Sequence, residues 1–245
     1  MVLQSDLINP AVKYRPIPFW SWNDKLDPAV LREQIREMHK AGLGGFFMHA
    51  RGGLKTAYLS PEWMECINAC LDEAQKLGMN AWLYDENGWP SGFGGGIVNG
   101  MGVKYQQKYL RCEKRKLKEC GTENTIAYYD ENGIFLSRTA PDTPETTVIR
   151  CYFEINPYYV DNLDKNVVAE FIRTTHEFYY ETIPSHLLKA LKGIFTDEPQ
   201  ISRNGFPWSF VYEEEYRKEY GTEMIVTLPF LFYPGKNSAE IRIRY

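Results

Sequence analysis

Helical and strand spacings of apolar residues alternate along this chain. Between residues 27 and 40, Val30, Leu31, Ile35 and Met38 fall on one helical face, while Arg32, Glu33, Arg36 and Glu37 take the other. Asp27-Pro28 supplies the start: the aspartate accepts from free amides of the first turn, and proline has no donor to leave unpaired. Gly42 ends the helix. Leu43 to Ala50 then reads as a strand that is apolar throughout, as a parallel strand covered on both faces should be. The unit repeats. Ser60-Pro61 opens a helix with Trp63, Ile67, Cys70, Leu71 and Ala74 inward, Leu77-Gly78 closes it, and Asn80 to Tyr84 is the next strand. A polar lead-in over residues 1–15 and an aromatic strand, Pro18 to Asn23, precede the first helix.

The segments AGLGGFFMHA, LGMNAWLYDE and LKGIFTDEP are three versions of one helix-to-strand junction. Strands alternating with helices at this pitch predict a parallel α/β sheet. The third version comes late because residues 103–157 intervene. There, Asp130-Glu131-Asn132-Gly133 between two β-rich runs is a hairpin signal, and Thr147 to Ile155 is another strand, so the insertion reads as a small antiparallel β subdomain after strand three. A helix is expected from Asp164 to about Glu181, and a short helix or turn over Ser185 to Leu191. The fourth strand, around Ile194 and Phe195, ends in Thr196-Asp197-Glu198-Pro199, where proline stops the ladder. An aromatic loop at Phe206-Pro207-Trp208, a charged helix from Glu213 to Tyr220 and an apolar run from Leu228 to Tyr233 follow.

Composition narrows the function classes. The 245 residues allow one large domain or two small ones. A formal charge of -4 gives no basic field, which argues against nucleic acid as a partner. No apolar run reaches the ~20 residues of a membrane helix, and Met1 to Pro10 lacks the pattern of a signal peptide, so the chain as written reads as cytoplasmic. The five cysteines, Cys66, Cys70, Cys112, Cys120 and Cys151, fit no zinc spacing and are expected as reduced thiols. The aromatic share of 15% serves either a large core or a site that stacks flat apolar faces such as sugar rings.

In parallel α/β folds, function collects at the carboxyl ends of strands. Those ends carry Trp20, Trp22 and Asn23; His49 and Arg51; Asp85 and Glu86; and Asp197 and Glu198. A carboxylate at the end of a buried strand is costly without a partner or a chemical role. Glycoside cleavage uses carboxyl groups in that way, one of them as an acid. Glu198, with Asp197 beside it, is the first choice for that role, against a structural role as a cap or an arginine partner. Asp85 and Glu86 are candidates for binding sugar hydroxyls or a metal, or for forming the turn that follows. Trp20, Trp22, Asn23, His49 and Arg51 are candidates for substrate binding, and Trp89 and Trp208 for stacking or for anchoring loops. No EF-hand spacing is present. The loop Gly92-Phe93-Gly94-Gly95-Gly96 lacks the lysine of a phosphate-binding Walker loop.

Three stretches, PFWSWNDKLDPAVLREQIREMHKAGLGGFFMHAR, WLYDENGWPSGFGGG and GIFTDEPQ, resemble the barrel region of bacterial α-L-rhamnosidase-like proteins of glycoside hydrolase family 106. The resemblance covers about residues 15–102 and 160–221. It implies a (β/α)8 TIM barrel, here about four βα units in a single incomplete domain spanning 1–245. It also implies a rhamnoside or related plant-polysaccharide substrate, hydrolysis with inversion by paired glutamates, a site that allows calcium but needs no other cofactor, and Glu198 as the catalytic candidate. Such proteins are longer, often secreted or periplasmic, and their second catalytic carboxylate is expected on a later strand. The chain is therefore expected to be a fragment, or to pair with a second copy or another chain. Two other readings stay open: a half barrel that binds carbohydrate without cleaving it, and a metal-dependent barrel enzyme of another class.

Overall fold

The computed structural model describes residues 7–235 and 237–245, so the first six residues of the expected lead-in lie outside it. In chain order the elements are β1 (Phe19–Trp22), α1 (Pro28–Lys40), β2 (Gly45–Ala50), α2 (Pro61–Leu77), β3 (Asn80–Asn87), β4 (Gln106–Lys116), β5 (Thr125–Tyr129), β6 (Phe135–Ser137) and β7 (Thr147–Val160). Then come α3 (Lys165–Ile172), a π-helical turn (Arg173–Glu177) leading into α4 (Phe178–Thr182), β8 (Leu191–Phe195), β9 (Pro207–Trp208), α5 (Tyr212–Tyr220), α6 (Pro229–Phe232) and α7 (Ser238–Arg244). The fold is mixed α/β, with a four-stranded parallel sheet ordered β1-β2-β3-β8 and a five-stranded antiparallel sheet ordered β6-β5-β7-β4-β9. The chain divides into two compact units, one running to Val98 and resuming over Val168–Gln200, the other Asn99–Val167 with Ile201–Tyr245.

In the first unit both predicted caps form. Asp27 Oδ1 accepts from the amides of Ala29 at 2.8 Å and Val30 at 3.1 Å, and Ser60 Oγ accepts from Trp63 N at 3.2 Å. One face of the sheet packs against the helices: Phe46 and Met48 of β2 and Ala81 and Leu83 of β3 share a core with Leu31 and Ile35 of α1 and Trp63, Ile67 and Leu71 of α2. Gly45 permits the close approach of β2 to β3, since a Cβ there would lie 1.9 Å from the Asn80 carbonyl oxygen. Arg32 and Arg36 of α1 reach the buried Glu73 of α2 at 3.1 and 2.8 Å. Side chains alternate across the sheet, so the other face carries Phe19, Phe47, Tyr84 and Phe195, whose rings meet at centroid distances of 4.9–6.3 Å. The short helix or turn expected at Ser185 to Leu191 is a run of turns leading directly into β8.

The second unit differs from the expected insertion in two ways. Its strands run to Val160, and its core is completed by residues far downstream. Leu110, Ile126, Ala127 and Ile149 of the sheet pack with Trp208, Tyr216, Ile225, Leu228 and Leu231, and Tyr129 donates its hydroxyl to the Ile225 carbonyl at 2.5 Å. The apolar run near residue 230 thus covers the antiparallel sheet. The cysteines require a correction: Cys112 and Cys151 form a disulfide, while Cys66, Cys70 and Cys120 are free. The two partners are 39 residues apart but directly opposite in the β4–β7 register, with Cα atoms 4.3 Å apart, a cross-strand relation that spacing along the chain does not reveal. Among the described residues no helix is long and apolar enough to cross a membrane.

Candidate functional site

At the carboxyl ends of the parallel strands lies an open cleft of about 400 Å³, lined by Phe19, Ser21, His49, Arg51, Trp89 and Asp197. Four of these, His49, Arg51, Trp89 and Asp197, were expected from the sequence, and the register explains the other two. Phe19 and Ser21 pair with Phe47 and His49 and share their face. Trp20 and Trp22 alternate to the opposite face, where their rings pack edge-to-face with Phe46 and Trp63. Trp22 is only 2% exposed, so it is a core residue and not a sugar platform. Asn23 is exposed beyond β1, and Trp208, also considered for stacking, is buried in the core of the second unit.

His49 is held by its neighbours. Its ring stacks on Tyr84 with centroids 3.5 Å apart, and Nε2 lies 3.2 Å from the Gly88 carbonyl oxygen, which requires the proton on Nε2. Burial lowers its pKa, the Gly88 contact opposes this, and the nearby Arg51 charge adds to the lowering. At neutral pH it is an uncharged donor.

Asp85 and Glu86 were expected to contact sugar. The structure places them elsewhere, because β3 continues through both and each is 0% exposed. Glu86 accepts five backbone N–H bonds, from Asn87 at 2.8 Å, Gly92 at 3.2 Å, Phe93 at 2.9 Å, Gly94 at 2.7 Å and Gly95 at 2.5 Å. The glycine-rich loop is thus an anion-binding nest filled by the chain's own carboxylate. Burial raises the Glu86 pKa against the opposing pull of those amides. Asp85 accepts from Ser91 Oγ at 2.5 Å and Thr196 Oγ1 at 2.6 Å, with His176 Nε2 at 3.7 Å, and burial raises its pKa too. Neither carboxylate fits a calcium ion: the lone pairs of Glu86 face five N–H groups, and Asp85 is taken up by hydroxyls and an imidazole. Among the described residues no group of three or more histidine, cysteine, aspartate or glutamate side chains is placed to hold a metal.

What Asp85 does is fix the end of β8. Ser91 Oγ, donating to Asp85, accepts from Asp197 N at 2.8 Å, and Ser91 N donates to the Asp197 carbonyl at 2.9 Å. The Asp197 carboxylate faces the cleft and accepts from the Tyr84 hydroxyl at 3.0 Å. Glu198, the next residue, is exposed, and its φ of 45° lies in the left-handed region that glutamate rarely adopts. Such strain is retained where surrounding structure enforces it, and it clusters at functional sites. Gln200 Nε2 donates to the Glu198 carbonyl at 2.8 Å.

His176, Ser91, Tyr84 and Thr196 were not foreseen. Tyr84 could have been found from strand alternation, since it shares parity with Trp82 and Glu86. His176 could not: the π-helical turn that aims it at Asp85 interrupts what reads as one continuous helix.

No known family profile matches the chain, and no curated protein sequence matches it. Among solved structures it is similar to a rhamnosidase from Novosphingobium sp. PP1Y, with 21% identity and a TM-score of 0.39 over 56% of this chain. The matched region is 14% of the length of that rhamnosidase.

Proposed function

We propose that the parallel sheet is part of a (β/α)8-type barrel and that its strand-end cleft binds and hydrolyses glycosides, with rhamnosides or related plant glycans as the substrate class. The cleft itself carries this reading. One opening combines an apolar ring at Phe19, an aromatic face at Trp89, a planar donor at Arg51 and a carboxylate at Asp197, the set that a sugar's apolar faces and hydroxyl groups require. The three stretches that resemble family 106 proteins surround it in sequence. Asp197, which lines the cleft, and Glu198, the exposed residue that follows it outside the lining, are the proposed acid/base residues: a carboxylic acid protonates the glycosidic oxygen as the bond breaks, while a carboxylate activates water or attacks the anomeric carbon. Tyr84 and the Asp85–Ser91 pair hold Asp197 in place, and His49 forms a wall of the cleft.

The test is release of reducing sugar from aryl rhamnosides and rhamnose-containing oligosaccharides. Turnover is expected, and Glu198→Gln should lower it by about 10²- to 10⁴-fold. A loss under about tenfold would remove Glu198 from the acid/base role. A second reading, binding without cleavage, is favoured by one observation: among the described residues the cleft lining holds a single carboxylate, Asp197. Saturable binding of oligosaccharide with no release would establish that reading over hydrolysis.

A further inference from the structure

Resting on the carbohydrate reading above, we propose that Arg51 selects acidic glycans, binding the carboxylate of a hexuronate next to the sugar held in the cleft. The arginines of the first unit set Arg51 apart. Arg32, Arg36 and Arg173 have carboxylate partners, and the Arg15 guanidinium bonds Asn9 Oδ1 and the Pro10 carbonyl. The Arg51 guanidinium has no hydrogen-bond or ion-pair partner among the described residues, although it lines a cleft that also contains the Asp197 carboxylate.

Its backbone, by contrast, is fixed. Arg51 N donates to the Trp22 carbonyl at 3.0 Å, and Leu54 N donates back to the Arg51 carbonyl at 3.1 Å. Gly53 closes this turn at φ 102°, with its α-carbon pressed so near Asn23 that a Cβ would lie 2.7 Å from the Asn23 carbonyl oxygen. A fixed stem with an unpaired head is preorganised for a ligand. His49 adds no positive charge, being buried and neutral at neutral pH, so Arg51 is the one cationic side chain lining the cleft among the described residues. A guanidinium matches a planar carboxylate through two parallel N–H···O bonds, which sugar hydroxyls do not reproduce. Phe19 and Trp89, 49% and 40% exposed, offer apolar surface beside it for the ring that bears the carboxylate.

Calorimetric titration in a Glu198→Gln background, which keeps ligand from being consumed, tests this with a rhamnosyl-hexuronate disaccharide and its carboxyl-reduced neutral counterpart. The acid is expected to bind about tenfold or more tighter than the neutral sugar. Adding Arg51→Gln should erase the difference without lowering the thermal midpoint, because the side chain is exposed and holds nothing in place. Raising salt from about 0.05 to about 0.3 M should narrow it as well. Equal binding of acid and neutral sugar, or a preference that survives Arg51→Gln, overturns the role of Arg51 while leaving carbohydrate binding intact. Binding of neither sugar overturns the carbohydrate reading together with it.

Discussion

Both units bury charged side chains, and they finish the job differently. In the second unit Lys108 is fully buried, donating to the Gln106 carbonyl at 2.6 Å, the Lys104 carbonyl at 3.3 Å and Asp161 Oδ2 at 3.2 Å, with its ammonium 4.4 Å from the Phe210 ring centre. Elsewhere in that unit, Arg150 donates to Thr125 Oγ1, Glu113 and the Glu123 carbonyl. Each of these networks closes on itself, as buried charge must if it is to be tolerated. In the first unit Glu86 is equally closed, but the bonds from Asp85 through Ser91 fix the Asp197 backbone amide, and the Asp197 carboxylate, held by the Tyr84 hydroxyl, lines an open cleft that the unpaired Arg51 also lines. The saturated networks hold structure, while the one beneath Asp197 leaves a carboxylate and a guanidinium lining an opening.

Substitutions in the two units should have different consequences. The largest effect belongs to the proposed acid/base residues that follow β8: Glu198→Gln should cost about 10²- to 10⁴-fold in turnover with little change in stability. If Asp197→Asn costs more than Glu198→Gln, the acid/base role moves to the side chain that faces the cleft. Next comes the closed network of the second unit. Asp161→Ala strands the Lys108 ammonium and should lower unfolding free energy by about 3–5 kcal/mol in urea titration, while sugar affinity of the surviving folded protein stays unchanged. Burial pulls the Lys108 pKa down and Asp161 counteracts it, so losing the aspartate should push the lysine further toward its neutral form.

Glu86→Gln should cost about 1–3 kcal/mol, because a neutral amide satisfies the five loop donors less well and turns an N–H toward them. Hydrogen exchange at Gly92 to Gly95 should speed up while the β2 and β3 amides stay protected. Equal loosening everywhere would mean that Glu86 supports the whole fold and not the loop.

The smallest effect is pH dependence. His49 and His176 have lowered pKa values, burial being the main cause in each, opposed by the Gly88 contact in one and the Asp85 charge in the other. The unfolded chain takes up protons as pH falls through about 6.5, and the folded state resists until its lower values are reached. These two groups therefore contribute stability that is present above about pH 6.5 and lost on acidification toward the folded-state pKa values. Thermal midpoints should fall over that window, and the slope should flatten in His49→Gln and His176→Gln. A slope that is unchanged in both His49→Gln and His176→Gln would remove the two histidines as its source.

The helices and parallel strands were readable because local signals agreed: caps at Asp27 and Ser60, apolar stripes at helical spacing, and strands apolar on both faces. The strand ends were readable as a class, and His49, Arg51, Trp89 and Asp197 do meet in one cleft. What was not readable depended on partners distant in sequence. Four aromatic and polar residues in a row, Phe19 to Trp22, do not say which parity faces the helices, and that choice buries Trp22 and exposes Phe19. Acids at a strand end do not announce whether loop amides will claim them, as Gly92 to Gly95 claim Glu86. The Cys112–Cys151 bridge depends on the β4–β7 register. The apolar run near Leu231 packs on the antiparallel sheet because that sheet's apolar face needs a cover.

Whether the strand-end cleft of the first unit is a carbohydrate site is decided by a crystal structure of the Glu198→Gln protein with a rhamnose-containing oligosaccharide. A sugar ring is expected against Phe19 and Trp89, with hydroxyls within hydrogen-bond reach of Asp197. Sugar bound elsewhere, or a cleft that remains free of it at saturating ligand, would overturn the carbohydrate reading.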